Sequence, residues 1–219
     1  MDIASVSHQV ALCYMLTLLK QLVYPTLEYN SVLWDPANRD LVDLLESVQK
    51  NFLKKLECPD LPPNSDYWDH LKQYKLYSLQ RRRERYAIMY VWKVLHNIYP
   101  NPGIHMNTTT KDHSMFPNPG ISLNAHPRLC MTAHHQQNRN LPQWLKDKSI
   151  LARCCKLFNA IPHSLRQPTP ADEEPSFPKF KKALDEWLIK IPDRPTCTGR
   201  MNPARSNSIL DQIQYEIRN

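Results

Sequence analysis

Apolar residues recur along this chain at three- and four-residue steps, the mark of helices with one buried face. The clearest run follows a capping candidate, Asp40: Leu41, Leu44, Leu45, Val48, Phe52 and Leu56 fall on one side. Glu46 and Lys50 sit at i,i+4 on the other side, where opposite charges support a helix. A second run, 79–98, places Leu79, Ala87, Tyr90, Val91, Val94, Leu95 and Ile98 in a stripe behind Ser78, a good capping residue. A third, behind Ser176, repeats Phe177, Phe180, Leu184, Trp187, Leu188 and Ile191 until Pro192 ends it. Residues 5–24 are mostly apolar and predict a buried helix, and Pro25 suits the first turn of a second, short helix over 25–34. Ser65 predicts the cap of another short helix with Tyr67, Leu71 and Tyr74 inward.

From Tyr99 to Leu141 the period fails, and Pro, Asn, His and Thr dominate. The stretch is too long for an ordinary connection in a compact domain. It is expected to be an irregular, flexible excursion with a short strand near 128–132. Ser149–Arg153 predicts another short strand, and Cys155–Ala160 a helical turn. The tail from Asp193 is polar and expected to fray, apart from a helix in SILDQIQYEIRN. The expected fold is mainly α: a helical region over 1–99, the excursion over 100–141, a small C-terminal helical region over 142–192 and a polar tail over 193–219, with room for one short β-hairpin.

Composition narrows the function classes. Only 3 glycines accompany 19 prolines, which leaves no glycine-rich phosphate loop and many forced breaks. The net charge of +7 favours a polyanionic partner, nucleic acid above all, although a solvated basic surface has the same composition. Six cysteines form no regular framework, and Cys154 and Cys155 are adjacent, which fits a reducing compartment and an intracellular protein, nuclear or cytoplasmic, better than a secreted one. The apolar run 9–24 raises a signal peptide or membrane span. Gln9, Lys20 and Gln21 interrupt it and Pro25 ends it, so no membrane is expected as a partner.

Three blocks, in order, resemble the C-terminal part of jockey-like non-LTR (LINE-type) retrotransposon reverse transcriptases. The first is LVYPTLEYNSVLWDPANRDLVDLLESVQKNFLKKL. The second is YWDHLKQYKLYSLQRRRERYAIMYVWKVLHNIYPN, whose Leu-Tyr-Ser-Leu-x-Arg-Arg-Arg step is the most distinctive. The third is KLFNAIPHSLRQ followed by FPKFKKALDEWLIKIPDRP. The chain departs from the family at LARCC and in the histidine-rich excursion. The resemblance implies the thumb and post-thumb of an RNA-directed DNA polymerase: a helical bundle that packs on the palm and grips template–primer or element RNA through its backbone. The palm, with its paired aspartates, and the family's endonuclease are outside this sequence.

Polymerase chemistry needs clustered carboxylates holding two metal ions. The chain has no Asp-Asp pair, and Asp172, Glu173 and Glu174 lie in a proline-flanked loop. It is therefore expected to be no enzyme, with no cofactor and no small-molecule substrate. Backbone grip suits Arg81, Arg82 and Arg85, which fall opposite the apolar stripe, with Lys72 and Lys75 nearby; Arg83 lands within the stripe and must snorkel or be paired. His126, Cys130 and His134, with His135, have suggestive four-residue spacing, but Pro127 breaks a regular helix and no closed set of four ligands follows, so no metal site is expected. Trp34, Trp92 and Trp187 could stack on bases, but Trp92 and Trp187 sit near apolar stripes and read as core. Two further readings stay open: an inactive decayed fragment, or a repurposed helical protein-binding adaptor.

Overall fold

The computed structural model describes residues 3–36, 38–56, 61–62, 64–100, 104–107, 128–131, 150–166, 176–195 and 207–218. They are mainly helical. The first helix, α1 (Ile3–Leu18), continues through a widened π-helical turn (Leu19–Val23) into α2 (Tyr24–Glu28). Pro25 therefore lies near the start of α2 within one helical run, and does not open a separate helix over 25–34. Proline lacks an N–H and its ring crowds the carbonyl four residues back. In the widened turn the Tyr24 N–H reaches Leu19 O, five residues back, which relieves that crowding. Tyr29 (φ −54°, ψ 119°) and Asn30 (φ 54°, ψ 26°) then form the centre of a type II turn leading to α3 (Ser31–Trp34).

Helix α4 (Arg39–Lys55) is capped by Asn38, whose side chain accepts from the Asp40 N–H at 2.9 Å. The cap is thus two residues before Asp40. Helix α5 (Tyr67–Gln73) is capped by Asp66 in a reciprocal box with Asp69, one residue beyond Ser65. Helix α6 (Leu79–Leu95) follows. Strands β1 (Ile104–Asn107) and β2 (Arg128–Met131) pair antiparallel, with Ile104 opposite Met131 and Asn107 opposite Arg128. The order closes with α7 (Ile150–Ala160), α8 (His163–Arg166), α9 (Phe177–Leu188) and α10 (Ile209–Arg218). Of the strand expected at Ser149–Arg153, Ile150–Arg153 is instead the first turn of α7, and Ser149 lies outside the described residues. Leu, Ala and Arg favour helix there, and Cys154, Phe158 and Ile161 are buried at helical spacing. The rest of the excursion and the acidic loop at 172–174 lie outside the described residues.

The chain divides into two compact units, Met1–Leu79 and Gln80–Asn219. The division falls well before Tyr99, because nearly all of α6 belongs with the C-terminal helices. The core of the first unit is Leu19, Tyr24, Leu53, Leu56, Leu71, Leu76 and Leu79, flanked by Leu12, Leu16, Val23, Leu27, Phe52, Tyr67, Trp68 and Tyr74. The run Gln9–Glu28 is long and apolar enough to cross a membrane by length and composition; of these residues Leu19 and Tyr24 alone are buried, both in this cluster, so the helix expected to be buried is largely exposed over 9–24.

Helix α4 is rotated from the expected face. Gln49 and Leu53 point inward, while Leu41, Leu44 and Val48 are exposed. Two inward polar groups explain the rotation. Gln49 Nε2 donates to Tyr77 O at 3.1 Å, and Glu46 Oε1 accepts from the Leu79 N–H at 2.9 Å and from the Tyr67 hydroxyl. These bonds hold Gln49 and Glu46 on the inward side and turn part of the leucine stripe outward.

In the second unit, Ile88, Val91 and Val94 of α6, Cys154, Leu157 and Phe158 of α7, Leu184 and Leu188 of α9 and Ile209 of α10 are buried. Trp92 stacks on Phe180 with ring centroids 5.2 Å apart, which accounts for its core role.

Candidate nucleic-acid interface

The five basic residues singled out from the sequence meet different fates. Arg81 is fully buried, with no exposed side-chain surface. Its Nη2 donates to Pro192 O at 2.8 Å and to Asn207 O at 3.3 Å, its Nη1 donates to Ile191 O at 3.4 Å, and its Nε lies 3.8 Å from Asp193 Oδ1. Arg85 forms a fork with Asp185, Nε to Oδ1 at 2.5 Å and Nη2 to Oδ2 at 2.8 Å. Neither guanidinium is presented to a phosphate, which corrects the expectation of an arginine grip on this helix. Periodicity separates the apolar side of α6 from its polar side. It does not say that the polar side meets water, and here that side meets α9 and the segments 191–194 and 207–209.

Glu84, buried beside these arginines, accepts from the Ile209 N–H at 2.8 Å and from Gln80 Nε2 at 3.4 Å. It satisfies the first backbone donor of α10, work usually done by a local cap. Asn207 Nδ2 donates to Asp193 Oδ1 at 3.0 Å, and Gln212 Nε2 donates to Arg194 O at 2.9 Å. This polar network fastens to α6 the start of α10, the helix expected within SILDQIQYEIRN, and buries Asn207, Ile209 and Gln212. Sequence reasoning missed Glu84, Asp185 and Asp193 as partners. The alternation Arg81–Glu84–Arg85 on one helix face was the available signal, since acids interleaved with arginines point to pairing within the fold. Arg83 is buried and Arg82 half-buried.

Lys72 and Lys75 are exposed. They stand on the closed end of α5, where the Leu76 N–H donates to Leu71 O at 2.8 Å and the Lys75 N–H to Lys72 O at 3.2 Å. These two bonds, with Lys75 left-handed at φ 51°, form a Schellman closure. Leu71 and Leu76 share the core cluster of the first unit, supplying its usual apolar contact. The two lysines are thus held at fixed backbone positions by the leucines beside them. In the second unit, Lys179, Lys181, Lys182 and Lys190 are exposed on and just beyond α9.

The remaining candidates are aromatic and metal-binding. Trp34 is partly exposed and donates Nε1 to Tyr29 O at 2.6 Å. The His96 ring lies edge-on to Trp92 at 4.0 Å, and burial lowers its pKa from the ordinary imidazole value. Burial raises the Tyr90 pKa, with Cys154 adding to the shift. Cys154 and Cys155 are buried thiols outside any disulfide, placed as small core residues. Among the described residues, no three His, Cys, Asp or Glu side chains gather to hold a metal ion. His126, His134 and His135 lie outside the described residues, as does the side chain of Cys130. No family model matches the chain, and no characterised protein or solved structure matches it either.

Proposed function

We propose that this chain is a non-catalytic helical support module of the reverse-transcriptase thumb type, gripping RNA or DNA through phosphate contacts made by lysines. The observation that carries the reading is the pair Lys72 and Lys75, exposed on a closed and anchored helix end in a chain of net charge +7. Ammonium groups on an anchored turn neutralise phosphates without reading bases, so binding is backbone-directed and falls with salt. The buried Arg81 and the half-buried Arg85 serve this role indirectly, by holding the second unit together. By the resemblance, the palm of a reverse transcriptase is the packing partner and supplies the chemistry.

The test is a salt titration of binding to a short RNA–DNA duplex. Changing Lys72 and Lys75 to Gln together should weaken binding and flatten the log–log salt slope by roughly 1.5 units, at about 0.7–0.9 per lost contact. The triple change of Lys179, Lys181 and Lys182 to Gln is the control. Equal losses from both sets, or none from the first, would defeat the assignment to Lys72 and Lys75. Primer extension by the purified chain above a buffer control would overturn the non-catalytic reading. The adaptor reading draws support from the large apolar side chains that the first unit exposes, Val10, Tyr14, Leu22, Leu41 and Leu44.

A further inference from the structure

The segment that carries Lys72 and Lys75 is held in two different ways. Leu71 and Leu76 sit in the core cluster of the first unit. Apolar contact is non-directional, so it fixes the depth of the segment and constrains its register little. Register is set from α4. Glu46 and Gln49, at i,i+3, lie on one side of that helix. Glu46 Oε1 accepts from the Tyr67 hydroxyl at the start of α5 and from the Leu79 N–H at 2.9 Å, and Gln49 Nε2 donates to Tyr77 O at 3.1 Å. One carboxylate oxygen therefore joins the two ends of the segment 67–79, with both lysines between them. Inside the segment, the Asp66–Asp69 box closes the start of α5 and the Schellman bonds close its end. Hydrogen bonds weaken steeply with angle, so the Glu46 bridge fixes how this closed piece is turned as well as where it lies.

We propose that Glu46 is the positioning residue of the phosphate-binding turn: by bridging Tyr67 and Leu79, its carboxylate sets Lys72 and Lys75 in the arrangement that meets a nucleic-acid backbone. The inference rests on the reading of those two lysines as phosphate contacts. Glu46 touches no phosphate, and as an anion it repels one. Its two effects on binding therefore have opposite signs. Its charge opposes a polyanion, whereas its bridge favours one by ordering the lysines before they bind. A purely structural Glu46 behaves differently. Removing it then lowers stability, and the molecules that stay folded bind as well as before or better.

Glu46→Met in the full chain separates the two, because it keeps side-chain length and helix propensity and removes the acceptor. The readout is a salt titration of binding to a short RNA–DNA duplex, with circular dichroism reporting the folded fraction. The variant is one charge more positive than the parent's +7, which by itself tightens binding. The expected result is the reverse, binding weakened about threefold. The log–log salt slope should flatten by roughly 1 unit although no lysine has been removed. Glu46→Gln restores an acceptor oxygen without the charge and should rescue most of that loss. With Lys72 and Lys75 already changed to Gln, Glu46→Met should cause no further loss. Where Glu46→Met does not fold, Tyr67→Phe takes its place; it alters no charge, breaks one arm of the bridge and should weaken binding about twofold. A folded Glu46→Met, or Tyr67→Phe in its stead, with the parent's affinity and slope overturns the proposal. So does a Glu46→Gln as weak as Glu46→Met, or a further loss in the chain that lacks both lysines. If the double lysine change flattens the slope and Glu46→Met does not, the positioning role alone fails. If the double lysine change has no effect, the phosphate reading fails and takes this inference with it.

Discussion

In the first unit the interior is mostly leucine, and two inward polar groups, Glu46 and Gln49, bond to Leu79, Tyr67 and Tyr77 of the same unit. In the second unit a leucine and aromatic core lies alongside a buried ionic network of Arg81, Glu84 and Asp193, with the partly exposed Arg85–Asp185 fork. Leucine packing is non-directional and tolerates rearrangement, whereas a buried guanidinium demands its acceptors at fixed positions. The comparison teaches that a run of arginines in a basic chain can be scaffold, and that surface charge must be sought where the backbone is anchored but the side chain is free to leave.

Several substitutions can break or sharpen this contrast, with amide hydrogen exchange reporting each unit separately. The largest effect is expected from Arg81→Ala, which takes its donors from three carbonyls and its charge from beside Asp193. It should destabilise the second unit by about 3–5 kcal/mol and leave exchange in the first unit unchanged. Next, Leu53→Ala should cost the first unit roughly 3 kcal/mol through its cavity, read as a lower urea midpoint. A loss below ~1 kcal/mol there would show the leucine cluster to be loosely packed. Glu84→Gln keeps the shape but removes the charge that accepts from the Ile209 N–H. It should cost about 1–2 kcal/mol and speed exchange at the start of α10.

The fourth expectation concerns pH. Burial lowers the folded pKa of His96 below its ordinary 6.5, so the folded state binds fewer protons than the unfolded one in that window. Its contribution is complete above the unfolded value. It declines as pH falls through 6.5 toward the lowered folded value and is constant below that. His96→Gln should flatten that part of the stability–pH profile, and an unchanged profile would remove His96 from the account. The smallest effect is expected from Lys75→Gly. It relieves a left-handed lysine but loosens the unfolded chain, for a net gain of about 1 kcal/mol or less by urea denaturation.

Much of the helical layout was legible in the residues. Leucine spacing located α4, and Phe177–Ile191 located α9, with Ser176 at its cap position. Local chemistry competing within two residues displaced other boundaries: Asn38 outdid Asp40, and Asp66 with Asp69 outdid Ser65. The inward face of α4 was misjudged because Gln49 is buried by a carbonyl 28 residues away, which no local pattern contains. The site was less legible. Arg81 and Lys72 look alike in one dimension, and only the fold shows that the first meets Pro192 and Asn207 while the second meets solvent. Scarcity of glycine left a readable trace only afterwards, in Asn30, Lys75 and Asn97, which hold the left-handed positions at φ 54°, 51° and 56°.

The widened turn at Leu19–Val23 has a consequence for how this helix can mutate. A π-turn is equivalent to one residue inserted into an α-helix, so deleting Lys20 or Gln21, both exposed, would let the backbone heal to ordinary α geometry. Healing would leave Val10 and Tyr14 on nearly the same side, because the widened turn already absorbs the extra residue. It would also return Pro25 to a regular helix interior, where proline costs on the order of 3 kcal/mol. The extra residue and the proline are therefore epistatic: each is a defect without the other, and the pair can be gained or lost together at little cost.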